Sequence, residues 1–161
     1  MTVVDVRKDL GAATTTFVAE FGAPPERVWQ VWEDPRQLER WWGPPMWPAT
    51  FTKHDFVVGG KSEYHMTGPD GTEAHGWLRF TAIDAPRSLE AVDGFADDTG
   101  HENPDLPTSD GRVTFEAIEG GTRMTLVTVY PSAEALTMVL EMGMEEGMTA
   151  ALGQVEAVLA G

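Results

Sequence analysis

No cysteine occurs among the 161 residues, which excludes a disulfide framework, a thiolate metal site and a cysteine nucleophile. Basic side chains are scarce too, 11 against 26 acidic ones, for a formal charge of −15. A nucleic-acid binder or a sensor of anionic membrane needs a basic surface, so neither partner is expected. The acidic excess is explained most simply as a solubilising surface. No apolar run approaches the ~18 residues of a membrane span. The opening segment MTVVDVRKDLGA lacks a basic stretch followed by an apolar one and a small-residue cleavage site, which predicts a cytoplasmic address. HExxH, GxSxG, P-loop and dinucleotide glycine-rich motifs are missing as well. No cofactor is therefore expected, and no catalytic residue is assigned from a motif.

What is present suits an ordinary globular domain, 42% apolar and 23% charged. Its length fits one domain that buries roughly 70% of the surface its unfolded chain exposes. Residues 1–13 read as a polar lead-in, and residues 14–160 as the domain. TTTFVAEF (14–21) is rich in β-branched and aromatic residues and predicts a first strand. Pro24-Pro25 ends it and opens a short helix in which Val28, Trp29, Val31 and Trp32 recur at helical spacing, until Asp34-Pro35 stops it. A second short helix follows over residues 36–42.

The middle of the chain predicts six strands, near 48–58, 60–67, 73–83, 87–96, 111–118 and 122–130, separated by GG, GPDG, DAPR and EGG turns. Between the fourth and fifth of these, residues 97–111 are dense in Asp, Gly, Pro and Ser and predict a long, mobile, exposed loop. After Pro131, Ser132 is a candidate N-cap for one amphipathic helix of about 28 residues. Along it Leu136, Leu140, Met144, Met148, Leu152, Val155 and Leu159 recur at spacings of three and four. The predicted class is α+β: a curved seven-stranded antiparallel sheet wrapped around a long C-terminal helix, with two short helices after the first strand. One helix across a concave sheet leaves space between them unless large side chains fill it, so an internal cavity is expected.

The stretches RVWQVWEDPRQLERWWGPP, VVGGKSEYHMTGPDGTE, DAPRSLEAVDGF, VTFEAIEGGTRMTLVTVYPS and EMGMEEGMTAALGQVEAVL resemble those of bacterial AHSA-type proteins, homologues of the activator of heat shock protein 90 ATPase. The resemblance covers about residues 14–160. It implies a START-like helix-grip fold of the SRPBCC superfamily, whose members include carriers of apolar ligands, polyketide cyclases and aromatases, and chaperone-associated domains. Three functions follow as expectations: binding of a small lipid-like or aromatic ligand, preferred here; cyclase, dehydratase or hydrolase chemistry; and interaction with a chaperone in a stress response. An exposed sheet edge would also permit a homodimer.

The expected cavity lining comes from three places. Trp41, Trp42 and Trp47, at and just beyond the end of the second helix, would form a gate or stacking surface; the same indoles, Trp42 above all, could simply plug the domain end and fix the second helix to the sheet. Phe56, Ser62, Tyr64, Met66, His75, Trp77 and Phe95 belong to or border the central hairpin. If its turn is the four-residue GPDG, Tyr64 faces His75, and Trp77 fills the space left by Ser62, a position where the family often carries an aromatic. Tyr64 and His75 would then be the candidate acid and base of an enzymatic reading, against a plain core reading with two satisfied polar tips. Gly143, Met144, Gly147 and Met148 on the terminal helix would let a ligand approach the backbone and adapt to its shape, unless they are only a loosely specified core. His54, His65, His75 and His101 share no obvious face, so no metal site is expected.

Overall fold

The computed structural model describes residues 3–161. Its strands are β1 (Val3–Asp9), β2 (Thr14–Phe21), β3 (Ala49–His54), β4 (Lys61–Thr67), β5 (Glu73–Asp84), β6 (Ser88–Ala96), β7 (Ser109–Ile118) and β8 (Gly121–Val129). They form one sheet in the order β1-β2-β8-β7-β6-β5-β4-β3, with every neighbouring pair antiparallel. The sheet thus has eight strands where seven are expected, and the extra one is β1. Residues 3–9 of the segment read as a polar lead-in pair with β2, while residues 1 and 2 lie outside the described residues. Only Val3 and Val6 of β1 are even half-buried, so this edge strand lacks the apolar alternation that marks its neighbours.

Helices α1 (Pro25–Glu33) and α2 (Pro35–Trp42) follow β2, each opened by its proline. Asp34 ends the first and caps the second, its carboxylate accepting from Arg36 N at 2.9 Å. Val28, Trp29, Val31 and Trp32 are all buried, as their spacing predicts.

The C-terminal helical segment is present but broken twice, into α3 (Ala133–Glu141), α4 (Met144–Leu152) and α5 (Val155–Leu159). Ser132 caps α3, its Oγ accepting from Ala135 N at 3.0 Å. The first break falls at Gly143, whose φ of +89° cannot continue a right-handed helix. Gly143 is therefore a break between helices, not the helix-interior glycine expected from the sequence. The second break lies at Gly153 and Gln154.

These breaks divide the space under the helices. At one end α1 and α2 pack on the sheet and α5 packs against both of them. Trp32 meets Trp41 edge to face at 5.0 Å, and Trp41 Nε1 donates to Val31 O at 2.9 Å. Arg27 Nη2 donates to Val158 O at 3.0 Å and Gln154 Nε2 to Gly43 O at 2.7 Å, tying the last helices to the first two. At the other end α3 and the start of α4 cover the sheet less completely, and a cavity remains.

The loop between β6 and β7 ends at residue 108, so Ser109 already belongs to a strand. Asp97 Oδ1 accepts from the backbone N–H groups of Thr99 and His101 at 2.9 and 3.0 Å. Glu102 pairs with Arg79 at 2.9 Å and Lys61 at 3.2 Å. These contacts fold the segment expected to be mobile back onto β4 and β5.

Candidate ligand-binding cavity

The cavity is built on β4, β5 and β6. Their register sets which side chains reach it, because successive residues of a strand point to opposite faces. Thr67 pairs with Glu73, so the hairpin loop holds five residues, 68–72, rather than the expected four. GPDG still forms its own turn, with Gly71 N donating to Gly68 O at 3.0 Å, and Thr72 is the added residue. The shift by one places Tyr64 opposite Gly76 and His65 opposite His75. Tyr64 points into the concave face and lies over Gly76, where an added Cβ would come within 2.5 Å of its hydroxyl oxygen.

His75 and Trp77 consequently occupy the convex face. His75 stands beside the His65 ring at 5.5 Å and meets Glu73 at 3.1 Å. The Trp77 ring has Lys61 Nζ at 5.6 Å and Arg79 Cζ at 5.2 Å from its centroid. The expected Tyr64–His75 pair is thus divided between the two sides of the sheet and cannot act on one ligand atom.

Three other expected lining residues are used for packing. Trp41 is fully buried among the helices. Phe56 packs edge to face on Phe80 at 4.9 Å and Trp29 at 5.6 Å, at the solid end. The space beside Ser62 is filled by His54, whose Nδ1 lies 2.7 Å from Ser62 Oγ and whose Nε2 lies 2.9 Å from Trp32 O. Burial lowers the pKa of His54 below the ordinary imidazole value, the nearby backbone carbonyls of Trp32 and Glu33 opposing it.

The remaining expected residues do come together. Trp47, Tyr64, Met66, Phe95, Gly143, Met144, Gly147 and Met148 line one chamber of about 610 Å³, partly open to solvent, beside the α3–α4 break. Trp42, Pro44, Pro107 and Val139 complete much of its apolar wall. A smaller recess of about 90 Å³ leads deeper toward the core, and Trp42, Asp93, Ser109, Tyr130, Met144 and Met148 border both spaces. Trp42 sets the inner wall, edge to face with Tyr64 at 5.9 Å, while Tyr64 stacks on Phe51 at 5.0 Å.

The polar part of this wall escaped the sequence reading. Asp93 on β6 accepts a hydrogen bond from Ser109 Oγ at 3.1 Å, across the β6–β7 pair that places the two residues opposite each other. Asp93 is half-buried and lines the chamber. Burial raises its pKa to about 6, with the Ser109 hydroxyl offsetting part of the shift. Tyr130 is pushed up to about 12, first by burial and then by the Asp93 charge, with Thr15 opposing. Tyr64 is raised for the same two reasons, with the Trp42 indole opposing, and both phenols stay neutral at physiological pH. Trp42 Nε1 and Thr15 Oγ1 are buried without a well-formed hydrogen bond among the described residues. A signal for Asp93 was available in the strand alternation, since it stands two residues before Phe95 and so shares its face.

An antiparallel sheet curved over a C-terminal helical segment, with an aromatic-walled cavity between them, defines a START-like helix-grip domain. The family described as Activator of Hsp90 ATPase homolog 1-like protein matches residues 22–160, and the chain belongs to it. A solution NMR structure of a protein from Arthrobacter aurescens is 55% identical with a TM-score of 0.94, covering 99% of this chain and 92% of that one. The crystal structure of protein Ms6760 from Mycobacterium smegmatis is 50% identical with a TM-score of 0.91, covering 98% and 96%. A solution NMR structure from Staphylococcus epidermidis, 25% identical, has a TM-score of 0.84 and covers 98% and 94%. No curated protein matches the chain. Among the described residues, no helix is long and apolar enough to cross a membrane.

Proposed function

We propose that the protein binds a small hydrophobic molecule, lipid-like or aromatic, in the chamber beneath α3 and α4. The observation that carries this reading is a space of about 610 Å³ walled by Trp42, Trp47, Tyr64, Met66, Phe95, Met144 and Met148. That volume lies in the roughly 300–1,000 Å³ range of small-molecule sites. Methionine suits such a wall, because its unbranched, polarizable side chain adjusts to different shapes at little cost. The aromatic rings provide broad contact area with little loss of rotamer freedom.

Titration with Nile red, a neutral apolar dye, should give a saturable blue-shifted fluorescence increase with one dye per chain. Gly147 lines the chamber, and a Cβ added there meets nothing within 4 Å. Gly147→Phe is therefore expected to fill the space and weaken dye binding at least tenfold while the fold is retained by circular dichroism. A parent protein that takes up no dye, or a folded Gly147→Phe variant that binds as well as the parent, would overturn the reading.

A further inference from the structure

The chamber has one carboxylic acid in its wall and, among the described residues, no basic side chain. Among the described residues Asp93 is its only charged side chain, and no described Lys, Arg or His lines the chamber or the deeper recess. The carboxylate receives one hydrogen bond, from Ser109, and meets no cation among the described residues. A half-buried charge with a single neutral donor is costly, because part of its water has been removed and nothing of opposite sign replaces it. An asparagine could accept the same Ser109 hydrogen bond without that cost, so the carboxylate is not explained by the fold.

The surroundings favour one kind of counter-ion. Trp42, Trp47, Tyr64, Phe95 and Tyr130 line the same chamber as Asp93. Aromatic faces attract ammonium groups through their quadrupole, more strongly where water is excluded. An anionic head group would meet the opposite conditions, with Asp93 repelling it and no basic side chain to hold it. The overall charge of −15 also favours the approach of a cation.

We propose that the chamber takes a hydrophobic or aromatic amine, with its ammonium group paired to the Asp93 carboxylate and its apolar body against the aromatic and methionine wall. This rests on the apolar-ligand reading above and narrows it to cationic ligands, excluding fatty acids and phosphate-bearing lipids.

Three congeners with one ring system test it: 2-(2-naphthyl)ethylamine, 2-(2-naphthyl)ethanol and 2-naphthylacetate, each measured at pH 7.5 by direct calorimetric titration and by displacement of Nile red. The amine should bind at least tenfold more tightly than the alcohol, and the carboxylate weakest of the three. Asp93→Asn should reduce the amine's lead over the alcohol to within about twofold, and Asp93→Glu should keep it. Equal binding of amine and alcohol by the parent protein, or an amine preference that survives in Asp93→Asn, would overturn the amine assignment and leave the hydrophobic cavity standing. If neither Nile red nor any congener binds, both readings fall together.

Discussion

The two ends of the space between sheet and helices are built from the same materials to opposite effect. At the solid end Trp32 and Trp41 interlock, Trp41 Nε1 is satisfied by Val31 O, and side chains of α1 and α4–α5 bond backbone carbonyls across the domain. At the hollow end the helix cover is bent at Gly143, and methionines of α4 border open space. Trp41 and Trp42 are neighbours in sequence, yet one is core and the other is largely cavity wall. The difference separates a packed part of the domain from a hollow one, so each can be perturbed while the other is watched.

The sharpest test of that separation is a pair of truncations. Trp41→Ala removes a fully buried indole and its hydrogen bond, and should cost roughly 3–5 kcal/mol in urea or guanidinium unfolding. Met148→Ala at the hollow end should cost well under about 2 kcal/mol, because its side chain already borders empty space. Equal losses at the two sites would break the distinction.

The next effect in size is electrostatic and belongs to Asp93. Its folded pKa of about 6 lies above the unfolded aspartate value, so the native state holds that proton more tightly. Its contribution is consequently present at low pH and is lost as pH rises from about 4 to about 6. Asp93→Asn should remove that slope and be more stable than the parent at pH 7 by roughly 2–3 kcal/mol. Chemical denaturation of both proteins across pH 4–8 checks this. Taking their difference cancels the opposing slope from Asp34, Asp70, Asp97 and Glu102, whose carboxyls are all held below their ordinary values.

The smallest effect is conformational. Gly143→Ala places a Cβ on a left-handed residue and should destabilise the protein by about 1 kcal/mol. If thermal unfolding of this variant matches the parent, the bend at the hollow end is not fixed by the glycine.

Much of this division was legible from residues alone, and its failures have physical causes. The α1 and α2 boundaries were readable because Pro25, Asp34 and Pro35 punctuate a clear apolar spacing. The grouping of Tyr64, Met66 and Phe95 with the glycines and methionines of α4 followed from topology and was brought together as a cavity wall. His75 and Trp77 were misplaced because one additional loop residue, Thr72, reverses the facing of everything after it. The helix breaks were invisible because the Leu and Met spacing runs on through Gly143 and Gly153; the backbone turns left-handed at the first, whereas at the second it stays right-handed and Gln154 N bonds Ala151 O, three residues back. β1 carries too few buried side chains to show a period. Asp93 was overlooked because an acidic residue in a strand ordinarily marks the solvent face, although alternation puts it on the same face as Phe95.

The bend at Gly143 has one more consequence. Residues 133–141 hang between two local fittings, the Ser132 cap and the glycine pivot, and α5 is anchored separately to Arg27. That arrangement makes the roof a separate piece of the architecture: its sequence can be redesigned to change the outline of the chamber while the tryptophan keystone at the far end keeps the domain upright.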